Sequence, residues 1–119
     1  MPPDLTPHIR IADVGDVTVV GFTGPNIFHT SDVEELNRAL TDLVETQHRS
    51  RLLLNLEGVQ YLSSSMLVNL INLSRRIEKE RGTLKLCGLS AVLRDTFRVS
   101  KLDRYFEIFP GESEALARF

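Results

Sequence analysis

A single cysteine, no tryptophan and three scattered histidines leave this 119-residue chain with little of the chemistry that metal and redox sites require. Cys87 has no second cysteine to pair with. The alternation of Thr83-Leu84-Lys85-Leu86-Cys87 marks a half-buried strand, so the thiol reads as part of a core. His8, His29 and His48 lie far apart and none stands at ligand spacing from another, which argues against zinc or di-iron chemistry. The turn before Ser64 offers only Gly58, so neither a phosphate-cradling loop nor a dinucleotide fingerprint is present. Positive charge is not in excess either. Fourteen Lys and Arg stand against sixteen Asp and Glu, a net charge of −2, and a nucleic-acid partner is not expected. No apolar run reaches membrane-spanning length, and Met-Pro-Pro-Asp-Leu-Thr-Pro has neither the basic nor the apolar region of a leader, so the expected location is cytoplasmic without membrane insertion.

The 42% of hydrophobic residues suffices for one core, and residues 1–119 are expected to form a single domain, with 1–7 as a flexible tail. His8–Ala12 and Val17–Phe22 are short β-branched runs on either side of Asp13-Val14-Gly15-Asp16, the pattern of a hairpin. A loop with Gly24-Pro25-Asn26 follows. Ser31-Asp32-Val33-Glu34 then matches a capping box and opens a helix whose Val33, Leu36, Leu40 and Leu43 share one face. Arg51–Leu56 is an almost unbroken apolar run, too short for a helix, and suits a central strand covered on both faces.

From Ser64, Leu67, Leu70, Ile71, Ser74 and Ile77 mark a second helix, with Gly82 as its C-cap. Its charged end, Arg75-Arg76-Ile77-Glu78-Lys79-Glu80-Arg81, reads as a solvated face with cations near the negative end of the helix dipole. A strand at Thr83–Cys87 and a helix capped by Ser90 and carrying Val92, Leu93, Thr96 and Phe97 come next. An apolar-rich stretch at Leu102–Phe109 and a short helix at Glu112–Arg118 close the chain. This order predicts an α/β fold: a mixed sheet of four to five strands with about four helices packed on it.

The serines Ser63-Ser64-Ser65 stand where that second helix begins. One serine there needs no function beyond capping, because its hydroxyl accepts a bond from a free amide of the first turn. Three exceed what capping needs, and an exposed one suits phosphorylation beside the positive end of the dipole. A serine nucleophile approached by His29 is the enzymatic alternative. A nucleophile elbow needs small flanking residues, whereas Leu62 and Met66 flank this cluster, so no catalysis and no cofactor are expected.

The stretch Leu54-Asn55-Leu56-Glu57-Gly58-Val59-Gln60-Tyr61-Leu62-Ser63-Ser64-Ser65-Met66-Leu67 resembles the central motif of STAS domains of the anti-sigma factor antagonist type. There an apolar strand, a Gly-Val turn and two apolar residues lead to Asp-Ser-Ser/Thr-Gly-Leu at a helix start. Gly82-Thr83-Leu84-Lys85-Leu86-Cys87 and Leu102-Asp103-Arg104-Tyr105-Phe106 extend the likeness, which spans roughly Val17 to Phe109. The resemblance implies a transcription regulator that works by partner switching. The unmodified protein binds an anti-sigma factor of the serine kinase type, phosphorylation of one serine breaks the complex, and a phosphatase restores it. By register the phosphoacceptor falls on Ser64, with Ser65 as runner-up. The partner-binding surface would include Asn26, Ser31, Ser63, Ser64, Ser65, Met66 and Leu67. Ser63 stands where the family has aspartate and Met66 where it has glycine. The same resemblance admits a different role, as an accessory or scaffold subunit of a transporter or signalling assembly.

Overall fold

The computed structural model describes residues 9–22, 26–27 and 30–119, with side chains for all of these except 26–27 and 30–33. The tail at 1–7, His8, Gly24-Pro25, His29 and the side chains of Asn26, Ser31 and Val33 therefore lie outside the described residues. In chain order the elements are β1 (Ile9–Val14), β2 (Val17–Phe22), β3 (Asn26–Ile27), α1 (Thr30–Glu45), β4 (Arg51–Asn55), β5 (Tyr61–Leu62), α2 (Ser64–Lys79), β6 (Thr83–Cys87), α3 (Ala91–Val99), a 3-10 turn (Leu102–Arg104), β7 (Glu107–Phe109) and α4 (Glu112–Leu116).

The β-branched amino-terminal runs pair as the expected hairpin, with Val14 opposite Val17. Gly15, first of the two turn residues, takes φ +61, a left-handed value that glycine adopts without strain. β2, β4, β6 and β7 run parallel, and the order of the five-stranded sheet is β1-β2-β4-β6-β7. The apolar run of β4 lies at its centre, and Leu52, Leu53 and Leu54 are completely buried, as a strand covered on both faces requires.

Alternation divides the sheet between two apolar layers. On one side Val20, Phe22, Leu52, Leu54, Leu84 and Leu86 meet the inward faces of α1, α2 and α3, including Leu36, Leu40, Leu70, Leu73 and Phe97. On the other, Val17, Val19, Leu53 and Cys87 meet Ala115 of α4, with Phe109, Leu116 and Phe119 packed around them. Lys85 lies in this second layer, 4% exposed. Its ammonium pairs with Glu107 and sits 5.4 Å from the Phe109 ring centroid and 5.2 Å from that of Phe119, so charge and π-faces replace the lost water.

Two helix-end expectations change. α1 begins at Thr30, so Ser31 falls inside its first turn and not at its cap. Gly82 is not the left-handed residue after α2. Arg81 takes that conformation at φ 59, and Arg81 and Gly82 donate back to Glu78 and Ile77 at 2.9 and 2.8 Å, the paired bonds of a Schellman end. Glycine is required at 82 for another reason, its closeness to Ser50. Val92 is 59% exposed; only Leu93 and Phe97 of α3 are buried.

Candidate functional site

The chain leaves the carboxyl end of β4 through a tight turn. The side chain of Asn55 accepts from the Glu57 amide at 2.9 Å, and the Val59 amide donates to the Leu56 carbonyl at 3.0 Å. Gly58 takes φ +87 in this turn. Leu56, Val59 and Leu62 anchor the segment in the core, while Tyr61 points outward at 54% exposure. β5 pairs in parallel with β3, placing Asn26 opposite Tyr61 and Ile27 opposite Leu62. The backbone at 26–27 is thus held directly beside the entry to α2.

The three serines have separate geometries. Ser63 has extended dihedrals, φ −73 and ψ 161, and its Oγ accepts from the Met66 amide at 3.1 Å, the bond of an N-cap. Ser64 and Ser65 occupy the first helical positions and are exposed, while Ser63 is half-buried. Neither of the two makes a side-chain hydrogen bond among the described residues. Capping thus rests on Ser63 alone. Ser63→Ala is expected to lower stability by about 1 kcal/mol, read from urea unfolding, and a loss near zero would remove the cap from this account.

Met66 does not lie on the contact surface that the motif implies for it: it is completely buried. With Leu70, Leu73 and Ile77 it forms the inward stripe of α2 at spacings of four, three and four. Leu67 is half-buried and flanks the core, leaving part of its side chain at the surface. Two outward apolar residues beside the serines, Tyr61 and Val68, each 54% exposed, were not singled out in the sequence. Val68 could have been found there, because it lies on the opposite side of the helix from Met66 and Leu70.

No metal-ligating group of three His, Cys, Asp or Glu occurs among the described residues. Cys87, completely buried, has its thiol pushed up to about 11, chiefly by burial and then by Glu112, Glu57 and Glu114. It stays protonated and unreactive near neutral pH. No helix among the described residues is long and apolar enough to cross a membrane.

The family model described as the STAS domain matches residues 8–115. The fold is similar to that of an anti-sigma-factor antagonist (STAS) domain protein from Planctomyces limnophilus, at 24% identity and TM-score 0.80, covering 92% of this chain and 96% of that one. It is similar also to an anti-sigma factor antagonist from Mycobacterium paratuberculosis, at 23% identity and TM-score 0.80, over 92% of this chain and 91% of the other. The Bacillus cell fate determinant SpoIIAA in its phosphorylated form matches at 21% identity and TM-score 0.72, over 92% and 97% of the two chains.

Proposed function

The chain belongs to the STAS domain family, and from that membership we propose that it is a non-enzymatic anti-sigma factor antagonist, binding an anti-sigma factor of the serine kinase type in the cytoplasm. The contact surface is the exposed first turn of α2, at Ser63, Ser64, Ser65 and the outer part of Leu67, together with the neighbouring backbone at Asn26–Ile27 and with Ser31. Phosphorylation of Ser64, or of Ser65 in its place, ends the interaction, and a phosphatase restores it.

One observation carries this reading: Ser63 alone caps α2, which leaves the Ser64 and Ser65 hydroxyls exposed. A phosphate there adds nearly two negative charges at the positive end of a helix and displaces no bond that holds the fold. The likeness to an antagonist solved in a phosphorylated form supports the same reading.

The test uses the wild-type, Ser64→Ala and Ser64→Asp chains, each immobilised and exposed to extract of the source cell. Wild type and Ser64→Ala should retain the same anti-sigma factor, whereas Ser64→Asp should retain it at least tenfold less. Stability of Ser64→Asp should change by no more than about 0.5 kcal/mol, the usual range for an exposed substitution. After incubation with the retained kinase, mass spectrometry should place phosphate on Ser64. Phosphate found at neither Ser64 nor Ser65, or undiminished retention by Ser64→Asp, overturns the proposal.

A further inference from the structure

Asn55 is the last residue of β4 and stands opposite Cys87 in the register, on the face of the sheet that α4 covers. Its carboxamide is used at both ends. The oxygen accepts from the Glu57 amide and so starts the turn toward the serines. The nitrogen donates to Glu112 Oε1 at 3.0 Å, and Glu112 is the first residue of α4. A third segment closes on the same group. Gly88, at φ +73, lies so near that a β-carbon there would stand 2.8 Å from Asn55 Oδ1 and 3.0 Å from the Glu57 nitrogen. Gly88 leads to Ser90, which caps α3 by accepting from the Leu93 amide at 3.2 Å, and α3 touches β5. The backbone beside Asn55 is fixed as well, since the Leu56 amide donates to the Cys87 carbonyl at 2.9 Å.

A carboxamide suits this place because it donates from one atom and accepts on the other. A carboxylate would keep the acceptor, lose the donor and set its charge against that of Glu112. Negative charge is already gathered here: after burial, Glu112, Glu57 and Glu114 are what raise the Cys87 thiol. We infer that Asn55 is a positioning residue for the serine turn and that Glu112 orients it, so that α4 on one layer of the sheet sets the start of α2 on the other. The inference rests on the serine reading given above only for its effect on binding. Two amides are fixed where the chain leaves β4, Glu57 by Asn55 and Val59 by the Leu56 carbonyl. Loss of the first frees the direction of departure, while the buried Leu56, Val59 and Leu62 keep the segment folded. The turn is then shifted and not melted. A shifted backbone loses shape complementarity at an interface even when every contact residue is retained. Contacts that act on α4 from the back are felt at the serines through this contiguous set of bonds.

The test reads the free chain first, by amide hydrogen exchange and amide chemical shifts, and then binding of the purified anti-sigma factor that the wild-type chain retains. Glu112→Ala removes an exposed partner of Asn55 and should leave the unfolding midpoint unchanged. The Glu57 amide should nevertheless exchange roughly fivefold faster or more, and the amide signals of Ser63, Ser64 and Ser65 should move. Asn55→Asp should move the same signals further and weaken binding roughly fivefold or more. Glu112→Gln alone keeps an acceptor for Asn55 and should behave as wild type does. In the double variant Asn55→Asp/Glu112→Gln the donor comes from the other side, so the serine signals should return to their wild-type positions, and exchange and binding to within roughly twofold of wild type. The inference falls if Glu112→Ala leaves Glu57 exchange and the serine signals unchanged, or if Glu112→Gln does not rescue Asn55→Asp. Serine signals that respond and recover while binding follows neither change uphold the positioning and remove the serine turn from the contact surface.

Discussion

Replacing Gly82 by alanine should destabilise the fold by about 1–3 kcal/mol, although the change adds one methyl group. A β-carbon at this position would overlap the Ser50 carbonyl oxygen and lie 2.8 Å from Ile77 Cγ1. The Ser50 carbonyl cannot simply withdraw, because it accepts from the Thr83 amide at 2.6 Å where β4 and β6 begin side by side. Nor can residue 82 move away freely, since its own amide donates to Ile77 at 2.8 Å and closes the end of α2. Relief therefore breaks a backbone hydrogen bond, worth about 1 kcal/mol, or keeps an overpacked contact that costs about 1–3 kcal/mol. In urea the midpoint should fall while the slope stays the same. Gly21→Ala is the control, because a β-carbon there meets nothing within 4 Å. Equal losses in the two variants, or a loss below about 1 kcal/mol at Gly82, would show that the close approach is not what requires glycine.

Met66→Gly should cost about as much or more. It restores the residue that the STAS motif carries at this position, yet it removes a completely buried side chain from the core beneath α2. Truncating a buried methionine to alanine costs about 2–5 kcal/mol, and glycine within a helix costs about 1 kcal/mol beyond alanine. A total near 4 kcal/mol is a large part of the stability of a domain of this size. Thermal unfolding measures it. At a temperature where the variant is still folded, its affinity for the partner should match that of wild type. A variant that kept its stability and lost its partner would return Met66 to the contact surface.

The misplacement of Met66 shows what the sequence could and could not reveal. Met66, Leu67, Leu70, Ile71, Leu73 and Ile77 are all apolar, so α2 is apolar over a wide arc, and several choices of its central line fit the same residues. Only the packed sheet shows that the line runs through Met66 and Leu73, with Leu67 and Ile71 at the margin. The strands were easier to find. Three consecutive leucines between charged and polar flanks have few other stable settings, and β4 lies where that run implied. β3 and β5 were not recognisable as strands, because two residues have no periodicity and each exists only through a partner 35 positions away. Gly82 followed the spacing of a C-cap, and the contact that requires it involves Ser50, which no local pattern connects to it. The serine turn was legible as a helix start. Its division into one capping hydroxyl and two exposed ones needed coordinates.

That division also bears on how much of the protein a cell holds. Ser63 accepts from the Met66 amide, and a phosphate on Ser64, as proposed, displaces no bond that holds the fold, so free chains with and without it should unfold equally often and be degraded at equal rates. On the proposed function, synthesis and turnover of the free chain then set the copy number, and a kinase and a phosphatase would set the active fraction.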